Sequence, residues 1–251
     1  MRDKELNAAM IDADILISLA AEAGVALTSA DARRLDLYAR LLVEWNEKMN
    51  LTAITAPEDI LVKHFVDSLT VLPHLPAGPC ALIDVGTGAG FPGVPLAVVR
   101  KDIRLTLLDS LNKRLVFLKA LCEALEVPAA LIHARAEEAG RQTALRERFD
   151  VSTARAVAGL PTLCEYCLPF VKPGGRFIAM KGPEADAEVQ AAQKAVALLG
   201  GRTAQVEALQ LPPHPLPGQE AMERRLILID KINPTPPLYP RPSAKIAKLP
   251  L

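Results

Sequence analysis

The stretch Ala81-Leu-Ile-Asp-Val-Gly-Thr-Gly-Ala-Gly-Phe-Pro-Gly-Val-Pro95 decides the fold of this 251-residue chain. Its first five residues form a short apolar run, which predicts a buried strand with one acid, Asp84, near its end. Glycines follow at positions 86, 88, 90 and 93, and glycine lets a ligand approach the backbone closely. After Pro95 the apolar pattern resumes. A strand, a glycine-rich turn and a new element together predict a cradle for a nucleotide.

Strand and helix patterns alternate along the chain from Cys80 onward, which predicts a parallel sheet with helices on both faces. Only a proline-rich loop, residues 211–218, separates the last two predicted strands. We therefore expect one strand at the end of the sheet to run antiparallel. The predicted strands span residues 81–85, 105–108, 130–133, 149–153, 176–180, 204–209 and 225–231. The predicted helices span residues 94–100, 112–126, 136–147, 159–170 and 184–199.

The segment before Cys80 has a helical pattern. Apolar residues recur at helical spacing over residues 5–46, and Pro57 opens a third predicted helix. Prolines and a glycine over residues 73–79 mark a boundary. We therefore divide the chain into an N-terminal helical extension (1–78), an α/β domain (79–232) and a proline-rich, basic C-terminal tail (233–251).

Composition narrows the functional classes. Lys+Arg and Asp+Glu both number 29, so the formal net charge is zero, and any nucleic-acid binding must rest on local basic patches. Four scattered cysteines favour a reducing compartment, and no apolar run is long enough to span a bilayer. Cys164-Glu-Tyr-Cys167 has metal-like spacing but no second cysteine pair. We expect a cytoplasmic protein without a signal peptide, membrane association or a metal.

The glycine turn fits two fingerprints. Gly88-Ala-Gly-Phe-Pro-Gly93 matches the dinucleotide pattern, whereas Asp84-Val-Gly-Thr-Gly-Ala-Gly90 matches that of S-adenosylmethionine-dependent methyltransferases. The tight turn should follow the strand directly, and Gly86 follows the last strand residue. Pro92 has no N–H to offer a pyrophosphate, a group that S-adenosylmethionine lacks. The register favours S-adenosylmethionine, and an NAD-dependent oxidoreductase is the alternative.

Two later segments contribute to the predicted donor site. Asp109 ends the second strand, where a carboxylate can accept hydrogen bonds from both ribose hydroxyls or simply be solvated. Ala136 and Glu137 follow the third strand, in the loop that flanks the adenine in methyltransferases. A backbone amide and a carboxylate there suit the adenine ring and its exocyclic amine, although acids also favour a helix N-terminus.

The end of the fourth strand bears on the acceptor. Residues 149–157 lack both the Asp/Asn-Pro-Pro-aromatic motif of enzymes that methylate exocyclic amines and a cysteine placed to attack a pyrimidine carbon. A ring nitrogen with a free lone pair, such as guanine N7, needs neither and mainly requires positioning. Arg155 is a candidate to contact guanine O6 or a phosphate, or else to pair with Asp150 or Glu137.

Several motifs in sequence order resemble those of the bacterial 16S ribosomal RNA (guanine-N7) methyltransferases, also called the RsmG or glucose-inhibited division protein B family. They are Trp45-Asn-Glu-Lys-Met-Asn-Leu-Thr52, Lys63-His-Phe-Val-Asp-Ser68, the glycine turn, Leu108-Asp-Ser-Leu-Asn-Lys-Arg114, Ala154-Arg-Ala156, Met180-Lys-Gly182 and Tyr239-Pro-Arg-Pro242. The resemblance covers roughly residue 35 to the end. It implies a Rossmann-like class I methyltransferase fold, with a mostly parallel sheet of seven strands, one of them antiparallel, and an N-terminal helical extension. It also implies methyl transfer to N7 of one guanosine in the decoding region of 16S ribosomal RNA.

The resemblance also places site residues on this chain. The donor contacts of the family map onto Gly86, Phe91, Ala136 with Glu137, and Arg155. The turn pattern and the end of the second strand add Gly88, Gly90 and Asp109 to the cofactor-binding set.

Four residues are candidates to bind RNA: Lys63, His64, Lys181 and Arg241. Lys181 and Arg241 would meet phosphates, whereas Lys63 and His64 belong to a family cluster either at the mouth of the active site or hydrogen-bonded to the neighbouring domain. The expected partner of a monomer is 16S ribosomal RNA or a small-subunit particle, with the target guanine in a loop or flipped out. A methyltransferase for a small molecule or protein, and an RNA-binding protein without catalysis, are further alternatives.

Overall fold

A central sheet organises the protein, whose computed structural model describes residues 10–218 and 220–251. The strands are β1 (Cys80–Val85), β2 (Ile103–Asp109), β3 (Ala129–His133), β4 (Phe149–Arg155), β5 (Val171–Lys181), β6 (Gly201–Leu211) and β7 (Met222–Lys231). The helices before the sheet are α1 (Ala13–Glu22), α2 (Ser29–Met49) and α3, which joins the segments Pro57–Asp59, Ile60–Val66 and Asp67–Leu69. Those that follow are α4 (Gly93–Val99), α5 (Asn112–Ala124), α6 (Ala136–Ala139), α7 (Leu160–Cys167), α8 (Ala185–Leu198) and α9 (Ser243–Lys248).

The strand order β3-β2-β1-β4-β5-β7-β6 confirms the predicted fold class. Strands β1 to β5 are parallel, and β7 is antiparallel to both of its neighbours. The reversed strand lies one position in from the edge rather than at the end of the sheet, because β6 pairs along its outer side. The carboxyl ends of β1, β2, β3, β4 and β5 therefore meet at one edge, where ligands of such sheets bind.

Two hydrophobic clusters cover the two faces of the sheet. Adjacent residues in β1 serve opposite faces, so Leu82 packs in the first cluster and Ile83 in the second. The first cluster includes residues of α1, α2 and α3 together with α4 and α5, and the second is built around α7 and α8. The N-terminal helices thus share one core with the sheet, with Tyr38 and Phe65 fully buried in it.

Several helix boundaries differ from expectation. The helical pattern over residues 5–46 forms α1 and α2, and residues 5–9 lie outside the described residues. Helix α2 begins with a reciprocal capping box between Thr28 and Asp31. The predicted helix over residues 136–147 is wrong in length, since α6 ends at Ala139 and turns follow. Within the described part of the chain, no helix is long and apolar enough to cross a membrane.

Candidate active site

Gly86 begins the turn directly after β1. Its N–H donates a hydrogen bond to the carbonyl oxygen of Leu108 at 2.8 Å, which ties the turn to β2. Its φ of +69° is left-handed, and a Cβ added there would lie 2.8 Å from Cγ2 of Val157. Only glycine satisfies both constraints without strain, as the strand-adjacent register predicts.

Asp84 organises the turn from below. Its carboxylate accepts hydrogen bonds from the hydroxyls of Thr87 (2.6 Å) and Thr153 (3.1 Å) and from the N–H of Gly93 (3.1 Å). The side chain is fully buried, and burial raises its pKa to about 6 despite these donors. Asp84 therefore shapes the turn and has no surface left for a ligand.

A cavity of about 420 Å³, the glycine-turn cavity, opens at the carboxyl ends of β1, β2, β3 and β4. Four predicted donor residues line it: Gly86, Asp109, Ala136 and Glu137. Four others do not: Gly88, Gly90, Phe91 and Arg155. The wall also includes Arg114, Val157 and Tyr166. The structure thus brings together four of the eight predicted donor residues, which follow three strand ends.

Glu137 and Asp109 are the two acids in this cavity. Asp109 is nearly fully buried and accepts hydrogen bonds from the N–H of Gly88 (3.0 Å) and from Nη1 of Arg114 (3.1 Å). Glu137 is 6 % exposed, and its buried Oε1 has no hydrogen-bond partner among the described residues. A buried carboxylate oxygen without a donor is costly unless a ligand supplies one. The exocyclic amine of an adenine is such a donor, so the cavity fits S-adenosylmethionine.

A second cavity of about 360 Å³, the arginine cavity, adjoins the first. The two share Ala156, whose backbone is left-handed at φ 54°. The other residues that line the arginine cavity are Ile54, Lys63, His64, Asp67, Arg155, Met180, Lys181, Gly182 and Arg224. One small side chain therefore stands between a cavity suited to the methyl donor and a cavity rich in cations.

Arg155 is held by the N-terminal helices. Its Nη1 donates to Oδ2 of Asp67 (2.9 Å) and to the carbonyl oxygen of Lys63 (3.0 Å). Asp67 is 3 % exposed and forms a second ion pair, with Nε of Arg224 at 3.2 Å. The alternative pairing of Arg155 with Asp150 or Glu137 is wrong, because its guanidinium pairs with Asp67 of α3 instead.

His64 completes this network as a neutral ring. Nη2 of Arg155 lies 3.0 Å from Nδ1 and has only protons to offer, so Nδ1 accepts. The ring proton therefore sits on Nε2, which donates to the hydroxyl of Thr52 at 3.1 Å. Burial, and then the charge of Arg155, lower the pKa of His64 to about 3. His64 is therefore uncharged at neutral pH.

Phe91 supports the arginine cavity rather than lining the glycine-turn cavity. Its ring lies between His64, with centroids 4.2 Å apart, and Tyr38, with centroids 5.0 Å apart. Cζ of Arg155 lies 4.9 Å from the centre of the same ring, within the range of a cation–π contact. The glycine turn thus contributes to both cavities, with its backbone on one side and Phe91 on the other.

The remaining RNA candidates already have protein partners. Nζ of Lys63 lies 2.7 Å from Asp59, and Nζ of Lys181 lies 2.7 Å from Glu188, yet both lysines line the arginine cavity. Arg241 lines neither cavity. Across residues 10–218 and 220–251 there is no group of acids, histidines and cysteines arranged to hold a metal ion.

Sequence reasoning missed two members of the network. The hydroxyl of Thr52 accepts a hydrogen bond from Nε2 of His64, and Arg224 pairs with Asp67 across 157 positions of sequence. Arg224 precedes the apolar core of β7, and no spacing links it to α3. The only signal available was a pair of arginines, Arg224 and Arg225, at the beginning of an apolar strand.

The chain is similar to proteins described as small-subunit ribosomal RNA methyltransferase G. A family model described as rRNA small subunit methyltransferase G matches residues 31–216. A protein of Acetivibrio thermocellus named ribosomal RNA small subunit methyltransferase G is 45 % identical over 252 residues, which cover 100 % of both chains. A protein of Clostridium botulinum with the same name is 42 % identical over 240 residues, 95 % of this chain and 98 % of the relative.

Solved structures with much lower identity share the fold. An S-adenosylmethionine-dependent O-methyltransferase from Thermotoga maritima superposes with a TM-score of 0.51 at 17 % identity, over 76 % of this chain and 71 % of the other. A precorrin-6y C5,15-methyltransferase from Geobacter metallireducens gives a TM-score of 0.50 at 12 % identity, over 74 % and 92 % of the two chains. At this level of identity the likeness concerns the fold alone.

Proposed function

Because the chain belongs to the rRNA small subunit methyltransferase G family, we propose that it transfers a methyl group from S-adenosylmethionine to N7 of a guanosine in 16S ribosomal RNA. The family makes the chain an S-adenosylmethionine-dependent methyltransferase of small-subunit ribosomal RNA. The acceptor atom is our inference. The observation that carries it is that Asp67 and His64, the acid and the imidazole of the arginine cavity, are both bonded to protein partners.

Among the described residues that line the arginine cavity, neither the imidazole nor the carboxylate is free to remove a proton from the acceptor. His64 uses Nδ1 to accept from Arg155 and Nε2 to donate to Thr52. Asp67 is paired with both Arg155 and Arg224. Methylation of an exocyclic amine or a hydroxyl requires loss of a proton, for which a positioned base is needed. Guanine N7 carries a lone pair and no proton, so attack from N7 suits this cavity.

The glycine-turn cavity supplies the donor side. We assign Glu137 to the exocyclic amine of the adenine, Asp109 to the ribose hydroxyls and the backbone at Gly86 to the methionine portion. When bound, S-adenosylmethionine supplies a methyl group activated by a sulfonium. Ala156 lies at the boundary with the arginine cavity, where its small side chain leaves room for the two reactants to approach. Catalysis then rests on in-line positioning.

The arginine cavity attracts RNA by local charge, although the whole chain is neutral. Four cations, Lys63, Arg155, Lys181 and Arg224, line it together with one acid, Asp67, and the acids paired with the two lysines, Asp59 and Glu188, lie outside its lining. Such an excess favours phosphate contacts and makes binding depend on salt. The deep major groove of an RNA helix hides N7, so the target guanine is unpaired or flipped out. The partner is 16S ribosomal RNA or a small-subunit particle, met by a monomer in the cytoplasm.

Labelled methyl transfer tests the acceptor atom. Small-subunit particles and free 16S RNA from cells lacking the modification are incubated with the protein and labelled S-adenosylmethionine. The RNA is then digested to nucleosides and separated. We expect 7-methylguanosine from at least one of the two substrates. Label on another atom of the RNA would overturn the N7 assignment, and RNA binding without label would favour a protein that only binds.

Calorimetry separates the two cofactor classes. S-adenosylhomocysteine and NAD are each titrated into the full chain. We expect binding of S-adenosylhomocysteine alone, because the turn register suits a ligand without a pyrophosphate and Pro92 has no N–H to offer one. Binding of NAD in its place would favour an oxidoreductase.

A further inference from the structure

The C-terminal tail, residues 233–251, packs behind one wall of the glycine-turn cavity. Arg141 donates from Nε to the carbonyl oxygen of Pro240 (2.8 Å) and from Nη2 to that of Leu238 (2.9 Å). Arg146 donates from Nη1 to the carbonyl oxygen of Tyr239 at 2.8 Å. Both arginines lie in the irregular segment after α6, so the tail supplies partners for a segment that lacks regular structure.

That segment continues directly from the cavity wall. Helix α6 has four residues, and a helix this short is not stable without packing. Its first two residues, Ala136 and Glu137, line the glycine-turn cavity. Gly140, just after it, is so close to the tail that an added Cβ would lie 3.3 Å from Cγ of Pro240. The wall that carries Glu137 is therefore supported from behind by the tail.

Arg241 makes a second attachment, to α7. Glu165 on that helix is fully buried. Nη2 of Arg241 donates to its Oε2 at 2.7 Å, and Nε and the backbone N–H of Arg241 donate to its Oε1 at 2.9 and 2.7 Å. Within the described residues, all hydrogen bonds to this carboxylate come from Arg241. The next residue, Tyr166, lines the glycine-turn cavity. Without Arg241, a buried charge would be left unpaired beside that wall.

We propose that Arg241 is a positioning residue for the methyl donor. The tail acts as a strut that fixes α6 through Arg141 and Arg146 and fixes α7 through Arg241. The guanidinium of Arg241 is committed to Glu165 with its side chain 15 % exposed. Arg241 therefore serves the donor side rather than a phosphate. The inference rests on the proposed function only in taking the glycine-turn cavity as the donor site, and its tests do not depend on which RNA atom is methylated.

Hydrogen exchange on the unmodified full chain tests the strut without a variant. Coupling between two sites is reciprocal, so a tail that favours donor binding is itself stabilised by the donor. S-adenosylhomocysteine is therefore expected to slow exchange at the amide of Arg241, which donates to Glu165, and at the amide of Thr235, which donates to Glu147. None of these residues lines the glycine-turn cavity. Slower exchange in the glycine turn with an unchanged tail would overturn the proposal.

Variants separate a strut from an RNA-binding arm. Arg241→Gln is expected to raise the Kd for S-adenosylhomocysteine and the KM for the donor about tenfold, with the KM for the RNA substrate unchanged. Arg241→Lys restores one charge-assisted contact and part of the affinity. The double variant Arg241→Gln with Glu165→Gln removes both charges and keeps the test open if the single variant does not fold. Lys245→Gln, on α9, is the control with normal donor binding.

The opposite pattern would reject the strut. A raised KM for RNA with an unchanged Kd for S-adenosylhomocysteine would assign Arg241 to RNA. If neither quantity changed in Arg241→Gln or in the double variant, the tail would have no role at the donor site.

Discussion

The two adjoining cavities are built on opposite plans. The glycine-turn cavity leaves a polar atom open, since the buried Oε1 of Glu137 has no partner among the described residues. The arginine cavity has its central groups bonded to one another, from Thr52 through His64 and Arg155 to Asp67. The first arrangement offers a ligand a carboxylate oxygen that no described protein group donates to. The second presents shape and fixed charge, and its imidazole and acid already have protein partners.

The two cavities also differ in how far apart in sequence their residues lie. The contact between Gly88 and Asp109 spans 21 positions, within one strand-turn-helix-strand unit. The ion pairs of Asp67 span 88 positions to Arg155 and 157 positions to Arg224. The turn at the start of the glycine-turn cavity is therefore a local construction, although the segment behind Glu137 bonds to the tail, 99 positions away from Arg141. The acceptor side exists only once the helical extension has packed on the sheet.

Arg155→Gln should have the largest effect and should act on one cavity only. It removes the ion pair with Asp67 and the donor to His64, so the guanine is no longer held in line. We expect kcat/KM for the RNA substrate to fall about 1000-fold, which is about 4 kcal/mol of transition-state stabilisation. Donor affinity, measured by calorimetry with S-adenosylhomocysteine, should stay unchanged.

The matched control for this change is Arg225→Gln. Arg225 is the neighbour of Arg224 on β7 and pairs with Glu223, whose side chain is 53 % exposed. Activity should remain near that of the unmodified protein. Equal losses in turnover and donor affinity in Arg155→Gln would contradict the separation of the two cavities.

Gly86→Ala breaks the other side. The added methyl group meets Val157 at 2.8 Å on a left-handed backbone. We expect affinity for S-adenosylhomocysteine to fall about 30-fold, or about 2 kcal/mol. Gly78→Ala is the control, since its φ is also positive at +76° but no atom lies within 4 Å of the added Cβ. Similar affinity losses in both variants would mean that backbone strain, rather than the contact with Val157, is responsible.

Glu137→Gln tests the role of the unpartnered carboxylate oxygen in the glycine-turn cavity. An amide in place of the carboxylate weakens the hydrogen bond to the exocyclic amine, so affinity for S-adenosylhomocysteine should fall about tenfold, or about 1.4 kcal/mol. The inosine analogue, which has a carbonyl in place of that amine, should lose less, because the amide can donate to it. Glu138→Gln, at the exposed neighbour, should bind normally. Equal losses for both ligands would contradict the contact with the amine.

His64→Gln tests whether the arginine cavity holds a neutral ring. The pKa of His64 is lowered from 6.5 to about 3, so between these values the unfolded chain binds a proton that the folded chain does not. Stability of the unmodified protein should therefore fall on acidification below pH 6.5, relative to the variant, by up to about 1.4 kcal/mol per pH unit.

Urea unfolding of both proteins between neutral pH and about pH 5 measures the difference. The raised pKa of Asp84 acts in the opposite direction, but it is common to both proteins and cancels in the comparison. A difference in stability that does not change with pH would mean that His64 titrates normally in the folded protein.

The sequence predicts which strand ends form the glycine-turn cavity. Gly86 after β1, Asp109 at the end of β2 and Glu137 after β3 all line the glycine-turn cavity, because strand ends and turns follow from short-range patterns. The resemblance assigns Phe91 and Arg155 to the donor. The structure places both in the wall of the arginine cavity or directly behind it.

The unpredicted features are those decided by packing between distant segments. Asp67 and Arg224 carry no mutual signal in the sequence, since their contact depends on how α3 packs beside β7. The predicted helix over residues 136–147 is longer than α6 because these residues have helical composition. In the folded chain, the segment that includes Arg141 and Arg146 bonds to carbonyl oxygens of the tail instead. Local propensity gives way when a tertiary partner satisfies the backbone and side chains differently.

Helix α3 contains a wide turn over Ile60–Val66, where the N–H of Asp67 reaches back to the carbonyl oxygen of Val62. Such a turn holds one residue more than an α-helix does. This turn carries His64 and ends at Asp67, and both side chains accept hydrogen bonds from Arg155. The position of the Arg155 guanidinium therefore depends on the backbone path of this turn as well as on the side chains that the turn carries.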